Sequence, residues 1–354
     1  MKFNKKFFGK YNSLPVDKFF FNVLYDKNVG YYETKKPIGI KGDYITSPKI
    51  SYLFCDIIAI WLVSTWENLG KPKYFNIVEL GPGDGTLTKC LLKTFKNFPK
   101  FNNSKKIYLY EISNLLKKKQ LQNINNSQVK WIKNFKEIKD GPVIFFGNEF
   151  FDAIPIKQFI RDGNLFYEKY FKLNKNFEIC NELKKASKKN IRIIKNFKSL
   201  NNLKFIEYPK LGFNELKKIV KKILELKGGI MLIDYGYLKP NNQNTLQSVI
   251  KHKKNKILKN LGKADITSHV NFKLLSEFLT QHNLKVKKIV TQKEFLEKMG
   301  IIQRANILSK KMKFRQQSDL FLRLKRLLSP NLMGTLFKVI FAFSSKNKNY
   351  YGFK

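Results

Sequence analysis

The sequence predicts an α/β fold with a Rossmann-like, mostly parallel sheet, and three adjacent features indicate it. Apolar side chains dominate residues 75–80, as in a parallel strand that is covered on both faces. Glycines at alternate positions in residues 81–85 then allow a sharp turn. Apolar side chains recur at helical spacing in residues 86–95. Strand, tight turn and helix in this order are the repeating unit of such folds.

The glycine turn carries a more specific pattern. Gly81, Gly83 and Gly85 follow Glu79 as E-x-G-x-G-x-G, which differs from the dinucleotide fingerprint G-x-G-x-x-G. It resembles the S-adenosylmethionine (SAM) loop of class I methyltransferases. A turn that only links a strand to a helix is the structural alternative. The complete pattern after a strand favours a cofactor site, with free N–H groups at the start of the helix facing the ligand.

The remaining elements follow from local patterns in chain order. A segment to about Asn28 with an aromatic cluster is expected to form a helical lid or a surface cover. Residues 39–48 predict a turn-rich loop, and residues 47–69 predict a helix with an apolar face that begins at Ser47 and Pro48. Further strands are predicted at 107–111, 129–131, 142–146 and 228–236, and helices at 213–224 and 271–283, with a last strand near 285–290.

Residues 156–207 interrupt this alternation and predict an insertion that covers the substrate. Alternating side chains at 159–167 indicate a hairpin, and the Lys/Asn-rich stretch 181–202 indicates a weakly ordered arm. The predicted organisation is a helical segment with a loop (1–72), a cofactor-binding core (73–155), an insertion (156–210) and the rest of the core with a C-terminal extension (211–354).

Acidic residues follow two of the predicted strands. Glu111 ends the second strand, where a carboxylate can accept hydrogen bonds from both ribose hydroxyls, although a helix-capping or exposed acid is the alternative. Glu149 and Asp152 flank apolar residues after the fourth strand, with Asn148 beside them. Buried carboxylates are costly unless they meet a partner, so these two are candidate functional residues.

Composition sets the broad class. The chain has 354 residues and a net charge of +43, but only six of its 69 basic residues are arginine and the lysines are scattered. We therefore interpret the charge as compositional drift and predict no dedicated nucleic-acid site. The three cysteines and three histidines match no metal or disulfide spacing. No metal, no transmembrane segment and a cytoplasmic location are expected, or the mitochondrial matrix for a eukaryotic chain.

Segments in chain order, together, resemble the MidA family of class I methyltransferases: 42–48 (GDYITSP), 78–83 (VELGPG), 148–155 (NEFFDAIP), 233–236 (IDYG), 264–267 (ADIT), and parts of 291–301. The resemblance implies a SAM-dependent methyltransferase sheet with an N-terminal helical part and an added substrate region. Mitochondrial members of that family are protein-arginine methyltransferases in the assembly of respiratory complex I. The implied partner is therefore a protein substrate, such as the quinone-site subunit of complex I, and a homodimer is a further expectation.

Two residues depart from the family pattern. Lys49 stands where the family usually has glutamate, and Asp84 occupies a position that is often arginine. We interpret Asp84 as loop variation, with contact to a basic substrate as the alternative. Neither change removes a glycine or a predicted cofactor-facing carboxylate.

The predictions for the site are as follows. The cofactor is S-adenosyl-L-methionine, held by Glu79, Gly81, Pro82, Gly83, Gly85, Thr86, Glu111 and Thr46. The catalytic residues are Glu149, Asp152 and Asn148, whose carboxylates would hold an arginine guanidinium; the alternatives are a helix cap for Asp152 and a local ion pair for Glu149. Two other functions stay open: an RNA methyltransferase, and a catalytically weak SAM-binding assembly factor.

Overall fold

The computed structural model describes residues 3–35, 43, 46–347 and 349–353. The chain divides into a first unit of Met1–Tyr44, Phe151–Lys217 and Tyr237–Phe278, and a second unit of Ile45–Phe150, Lys218–Gly236 and Leu279–Lys354. The predicted insertion at 156–210 falls in the first unit and the glycine turn in the second. No helix among the described residues is long and apolar enough to cross a bilayer.

Chain order gives fourteen α-helices and seventeen strands in the described ranges. The strands are β1 (Ser13–Pro15), β2 (Phe75–Leu80), β3 (Lys105–Tyr110), β4 (Val129–Ile132), β5 (Val143–Asn148), β6 (Lys157–Asp162), β7 (Leu165–Leu173), β8 (Ile179–Lys185), β9 (Phe205–Tyr208), β10 (Gly228–Tyr237), β11 (Gln247–Ile250), β12 (Lys253–Asn255), β13 (Asp265–Thr267), β14 (Val270–Asn271), β15 (Lys285–Val286), β16 (Val290–Thr291) and β17 (Phe337–Phe343). The helices are α1 (Val16–Tyr25), α2 (Tyr31–Thr34), α3 (Ser47–Ile50), α4 (Tyr52–Asn68), α5 (Thr86–Phe95), α6 (Pro99–Ser104), α7 (Asn114–Ile124), α8 (Lys188–Lys195), α9 (Lys210–Leu226), α10 (Phe272–Gln281), α11 (Gln292–Lys298), α12 (Ile301–Ser309), α13 (Phe314–Leu328) and α14 (Met333–Leu336). Short 3₁₀ turns occupy Asn4–Phe7, Phe135–Glu137 and Lys198–Leu200.

The second unit is built on a sheet in the order β15-β17-β10-β5-β2-β3-β4, with β16 also paired to β17. Strands β10, β5, β2, β3 and β4 are parallel, whereas β17 runs antiparallel to β10. All six residues of β2 are buried, which explains its nearly continuous apolar character. The predicted α/β class with a parallel sheet is confirmed.

One apolar core supports this sheet. Helix α4 contributes its buried face, including Phe54, Trp61 and Trp66, and α5 contributes Leu91 and Phe95. Because α4 and α5 pack on the same cluster as the interior of β2, the start of α5 is held at the carboxyl end of that strand. The glycine turn therefore has a fixed position in its unit.

The first unit contains an antiparallel sheet in the order β1-β7-β6-β9, with β8 also paired to β7. A smaller sheet follows the order β12-β11-β13. The hairpin between β11 and β12 turns at Lys251 and His252, which both have positive φ (50° and 63°), a costly conformation for side-chain-bearing residues. Asp43 supports the turn, because its Oδ1 accepts from the Lys251 amide (2.6 Å) and its Oδ2 from the Tyr31 hydroxyl (2.6 Å).

Several predictions are corrected. The helix expected from Ser47 is interrupted at Ser51, which has φ −152° and caps α4 by accepting from the Leu53 amide. The stretch 181–202 is not a weakly ordered arm, because it contains the end of β8 and the whole of α8. The hairpin at 159–167 is confirmed by the antiparallel pairing of β6 and β7. Of the loop at 39–48, residues 39–42, 44 and 45 lie outside the described residues.

Candidate active site

The glycine turn has a backbone that only glycine adopts easily. Gly81, Gly83 and Gly85 have φ of 60°, 58° and 82°, all in the left-handed region. A Cβ on Gly81 would lie 2.9 Å from the ring of Phe150, and one on Gly85 would lie 2.9 Å from Cδ1 of Ile124. Both the conformation and the packing therefore require glycine at these two positions. Pro82 closes the turn, because its carbonyl accepts from the Gly85 amide at 2.8 Å.

Glu79 is a buried acid two residues before the turn. It is 4% exposed and accepts a hydrogen bond from the hydroxyl of Thr88 on α5. Burial, reinforced by the negative charges of Asp84 and Glu111, raises the pKa of Glu79 to about 8, against the opposing effect of Thr88. At neutral pH this side chain is thus mostly a neutral acid that a cationic group would readily ionise.

Glu111 lies directly beside the turn. The carbonyl of Tyr110, the last residue of β3, accepts from the Gly81 amide at 3.0 Å, so the ends of β2 and β3 are adjacent. Glu111 Oε1 accepts from the Ser113 amide (2.8 Å), and its Oε2 accepts from Nε2 of Gln120 (3.1 Å). Ser113 is the N-cap residue of α7, so the hydrogen bond from its amide to Glu111 agrees with the capping alternative. The position of Glu111 directly after β3 agrees equally with the ribose alternative.

Gln120 links the acid to the glycine turn, and the sequence patterns did not single it out. Its Nε2 donates to the carbonyl of Gly83 (2.8 Å) as well as to Glu111, and its Oε1 accepts from Nε1 of Trp131 (2.9 Å). The side chain is fully buried. Its fixed amide therefore sets the distance between the turn and Glu111.

The residues around the turn fit a nucleoside that carries an amino acid. Three left-handed glycines bring backbone close to a ligand, Glu111 offers carboxylate oxygens at a strand end, and Glu79 can become the counter-charge of a cation. Thr86 begins α5, and its hydroxyl donates to Oδ1 of Asp84 at 2.7 Å. Thr46 occupies the N-cap position of α3, but its hydroxyl makes no capping bond there.

The two departures from the family pattern contact each other. Nζ of Lys49 on α3 lies 2.5 Å from Oδ2 of Asp84 in the glycine turn. Burial by itself would raise the pKa of Asp84, but the bonds from Lys49 and Thr86 outweigh it, and the pKa is lowered. Asp84 thus has a structural partner, which the interpretation as loop variation did not foresee.

Glu149 follows β5 in the second unit with φ 52°, a costly conformation for this residue type. Its amide donates to the carbonyl of Ile233 (2.9 Å), and its Oε1 accepts from the Ser47 amide (3.2 Å) and from Nδ2 of Asn148 (3.0 Å). Two buried atoms beside it, Oγ of Ser47 and Oδ1 of Asn148, have no hydrogen-bond partner among the described residues. Ser47 was not among the predicted site residues.

Asp152 belongs to the first unit, since the division falls between Phe150 and Phe151. No helix begins near it, because residues 151–154, all of which are described, form turns and bends, so the helix-cap alternative is wrong. Its carbonyl accepts from the Ser268 amide at 3.0 Å. Burial, followed by the charge of Asp152, raises the pKa of Asp265 to about 7, and Tyr32 donates its hydroxyl to Asp265 at 3.0 Å.

Among the described residues, no group of three or more His, Cys, Asp or Glu side chains could hold a metal ion.

Comparison with known proteins decides the family. Residues 57–290 match the family described as "Putative S-adenosyl-L-methionine-dependent methyltransferase". The chain is 30% identical over 337 residues to the Caenorhabditis elegans protein arginine methyltransferase NDUFAF7 homolog, mitochondrial, with 88% of this chain and 78% of that protein covered. It is 28% identical over 324 residues to the Xenopus tropicalis protein arginine methyltransferase NDUFAF7, mitochondrial, with 84% and 74% covered.

The chain belongs to the MidA-type family of SAM-dependent methyltransferases. A crystal structure from Burkholderia thailandensis, solved with S-adenosyl-homocysteine, has the same fold, with a TM-score of 0.81 at 20% identity over 96% of this chain and 90% of that one. The predicted family, the methyltransferase class and the cofactor SAM are confirmed.

Proposed function

We propose that this MidA-type methyltransferase methylates an arginine of a protein, and that its substrate is a subunit of respiratory complex I. The relatives named protein arginine methyltransferase support the first part, and the family resemblance supports the second. Within the chain, the observation that carries the proposal is the surroundings of Glu149. Its backbone is held at a positive φ (52°), and beside it lie two buried polar atoms, on Ser47 and Asn148, that have no partner among the described residues.

Methyl transfer to an arginine requires groups that orient the guanidinium and take up a proton from it. SAM, when bound, supplies an electrophilic methyl group. A guanidinium is protonated in water and is a poor nucleophile until one nitrogen is oriented and gives up a proton. Glu149 can pair with its N–H edge, draw electron density toward the reacting nitrogen and accept the proton that this nitrogen gives up, while Oδ1 of Asn148 accepts a further N–H. The hydrogen bonds from Ser47 and Asn148 hold the carboxylate in place.

All the residues that we propose to hold the cofactor lie in the second unit. Gly81, Pro82, Gly83, Gly85 and Thr86 would face the methionine end, Glu79 its positive charges and Glu111 the ribose, with Thr46 close to the start of α3. The Gly83→Val and Glu111→Ala variants should bind SAM at least tenfold more weakly, because one blocks a left-handed backbone and the other removes a charged acceptor. Titration calorimetry measures this; unchanged affinity in both would contradict the site.

Glu149→Gln tests the catalytic role. We expect SAM binding and the melting temperature to hold while methyl transfer falls by roughly two orders of magnitude, as for loss of a positioned charge-stabilising group. Glu67→Gln, an acid on the exposed end of α4, is the matched control and should keep full activity. Asp152→Asn, in the other unit, is measured separately, and its catalytic role stays a prediction.

The assay also separates the alternatives. Labelled SAM is offered with an arginine peptide, with the quinone-site subunit of complex I from the same genome, and with total RNA. Label in the protein that Glu149→Gln abolishes supports the proposal. Label in RNA alone would favour the RNA methyltransferase, and SAM binding without transfer to any of them would favour a SAM-binding assembly factor. A cytoplasmic or matrix location and a homodimer stay predictions.

A further inference from the structure

Helix α13 of the second unit exposes large apolar side chains on the side opposite its buried residues. Leu320, Leu324 and Leu327 are buried in the core. Phe314, by contrast, is 84% exposed, and Leu322 is 67% exposed. Phe314, Phe321 (40% exposed) and Leu322 share one face of the helix, and the polar side chains of Ser318 and Lys325 lie on the same face. Three large apolar side chains exposed on one face of a helix indicate an interaction surface.

Basic residues lie around these exposed apolar side chains. Residues 310–326 contain seven lysines and arginines, and Asp319, the single acid among them, is paired with Arg323 at 2.7 Å. Four of the six arginines in the chain lie between residues 304 and 326, although the lysines are scattered throughout. Arg304 pairs with Asp56 (3.1 Å) and Arg323 with Asp319, so two of these four arginines stabilise the fold, and Arg315 and Arg326 are the two that could meet a partner. Arg315 and Arg326 are exposed on α13.

We propose that α13 and the preceding loop at 310–313 bind the surface of an anionic phospholipid bilayer. The helix would lie in the plane of the membrane, with Phe314 and Leu322 entering the acyl boundary and Arg315 and Arg326 meeting lipid phosphates. Arginine suits phosphate because its planar fork donates two parallel hydrogen bonds. An anionic bilayer has phosphate charges at its surface and an apolar interior directly beneath them. It therefore complements exposed apolar side chains that lie among basic residues.

The test is sedimentation of the full chain with vesicles of phosphatidylcholine, with and without phosphatidylglycerol. The Phe314→Ser/Leu322→Ser variant should bind the anionic vesicles at least about tenfold more weakly, because two large side chains stay in water. Leu165→Ser/Phe177→Ser is the matched control, since Leu165 and Phe177 are also exposed (47% and 39%) but lie in the first unit. It should bind as the wild type does.

The charge component has its own pair of variants. Arg315→Gln/Arg326→Gln should weaken binding to the phosphatidylglycerol vesicles by about 30-fold, from about fivefold for each cation near an anionic surface. Lys253→Gln/Lys254→Gln removes the same charge from the first unit and should weaken binding by less than about fivefold.

Three outcomes would overturn the proposal. Equal loss in the α13 variants and their controls would show that scattered lysines bind the vesicles. Unchanged binding in both α13 variants would exclude this face. If Phe314→Ser/Leu322→Ser lowers the mass in light scattering and leaves vesicle binding intact, the face joins two copies of the chain. Circular dichroism confirms folding, which is expected because the altered side chains are exposed.

Discussion

Glu79→Gln is the most informative substitution near the glycine turn. Glutamine has the shape of the protonated acid, and the buried wild-type side chain has a pKa of about 8, so the two proteins should resemble each other at pH 6. They should diverge as the pH rises, because only the wild type can become a carboxylate. SAM carries two positive charges, on its ammonium and sulfonium groups, and a carboxylate would attract both.

The size of the effect follows from the pKa. Each pH unit below 8 makes ionisation of Glu79 about tenfold less favourable, so the affinity of the wild type for SAM should rise up to about 100-fold from pH 6 to pH 8 and then level off. Binding at pH 7 should release close to one proton per site. Glu79→Gln should show neither the rise nor the proton release.

Stability should change in the opposite direction. The folded-state pKa is raised from 4.5, so the folded protein binds more protons than the unfolded chain between pH 4.5 and 8, and stability falls as pH rises through that window. The fall that Glu79 contributes is roughly 5 kcal/mol at most. Glu79→Gln removes it, and the variant should therefore melt higher than the wild type at pH 8.

Titration calorimetry in buffers of different ionisation enthalpy measures affinity and proton release together, and thermal melts measure stability. Glu67→Gln serves as the control, since Glu67 is an exposed acid in the same unit. A wild-type affinity that stays flat from pH 6 to pH 8 would refute the reasoning. So would an equal pH dependence in Glu79→Gln, because the titrating group would then lie elsewhere.

Two further predictions concern α3, α4 and α5. Lys49→Glu should lower the free energy of unfolding by about 2 kcal/mol, since it leaves buried Asp84 beside a like charge, and adding Asp84→Arg should restore most of the loss in denaturant titrations. The hydrogen bond from Cys55 lowers the pKa of Cys90 to about 7, so Cys90 should be alkylated faster than Cys180 at pH 7.5, and mass spectrometry should show that Cys55→Ala removes the difference.

The parallel core of the fold could be predicted because each strand is a short, local apolar run. The pattern at 75–80 identified β2 correctly, and the same reasoning located β3, β4, β5 and β10. Strand β17 is an equally apolar run, but it was missed because the segment was assigned to a C-terminal extension. Its place between β10 and β15 depends on pairing with strands far away in sequence, which no local pattern shows. Helix α8 was missed for another reason: five of its eight residues are Lys, Arg or Asn, and only Asn190 and Ile194 are buried.

For the site residues too, local patterns could be predicted and contacts between distant segments could not. Glu79 and the three glycines were predicted because their spacing within one strand-turn-helix segment is itself the signal, and Glu111 was predicted because it directly follows the next strand. Gln120 and Ser47 were not, since each meets its partner through the fold: Gln120 reaches Gly83 across 37 positions, and Ser47 reaches Glu149 across 102. The raised pKa of Asp265 likewise depends on burial, which local patterns do not reveal.

The contact between Lys49 and Asp84 shows how the two departures from the family pattern belong together. By the resemblance, the family usually has glutamate at position 49 and often has arginine at position 84, whereas this chain has the opposite charge at each position, and Nζ of Lys49 lies 2.5 Å from Oδ2 of Asp84. Reversal of both signs preserves their attraction. It would not preserve contact with a ligand of fixed charge, such as the cofactor or a guanidinium. The pair therefore acts to hold α3 against the glycine turn, and α3 in turn places Ser47 beside Glu149.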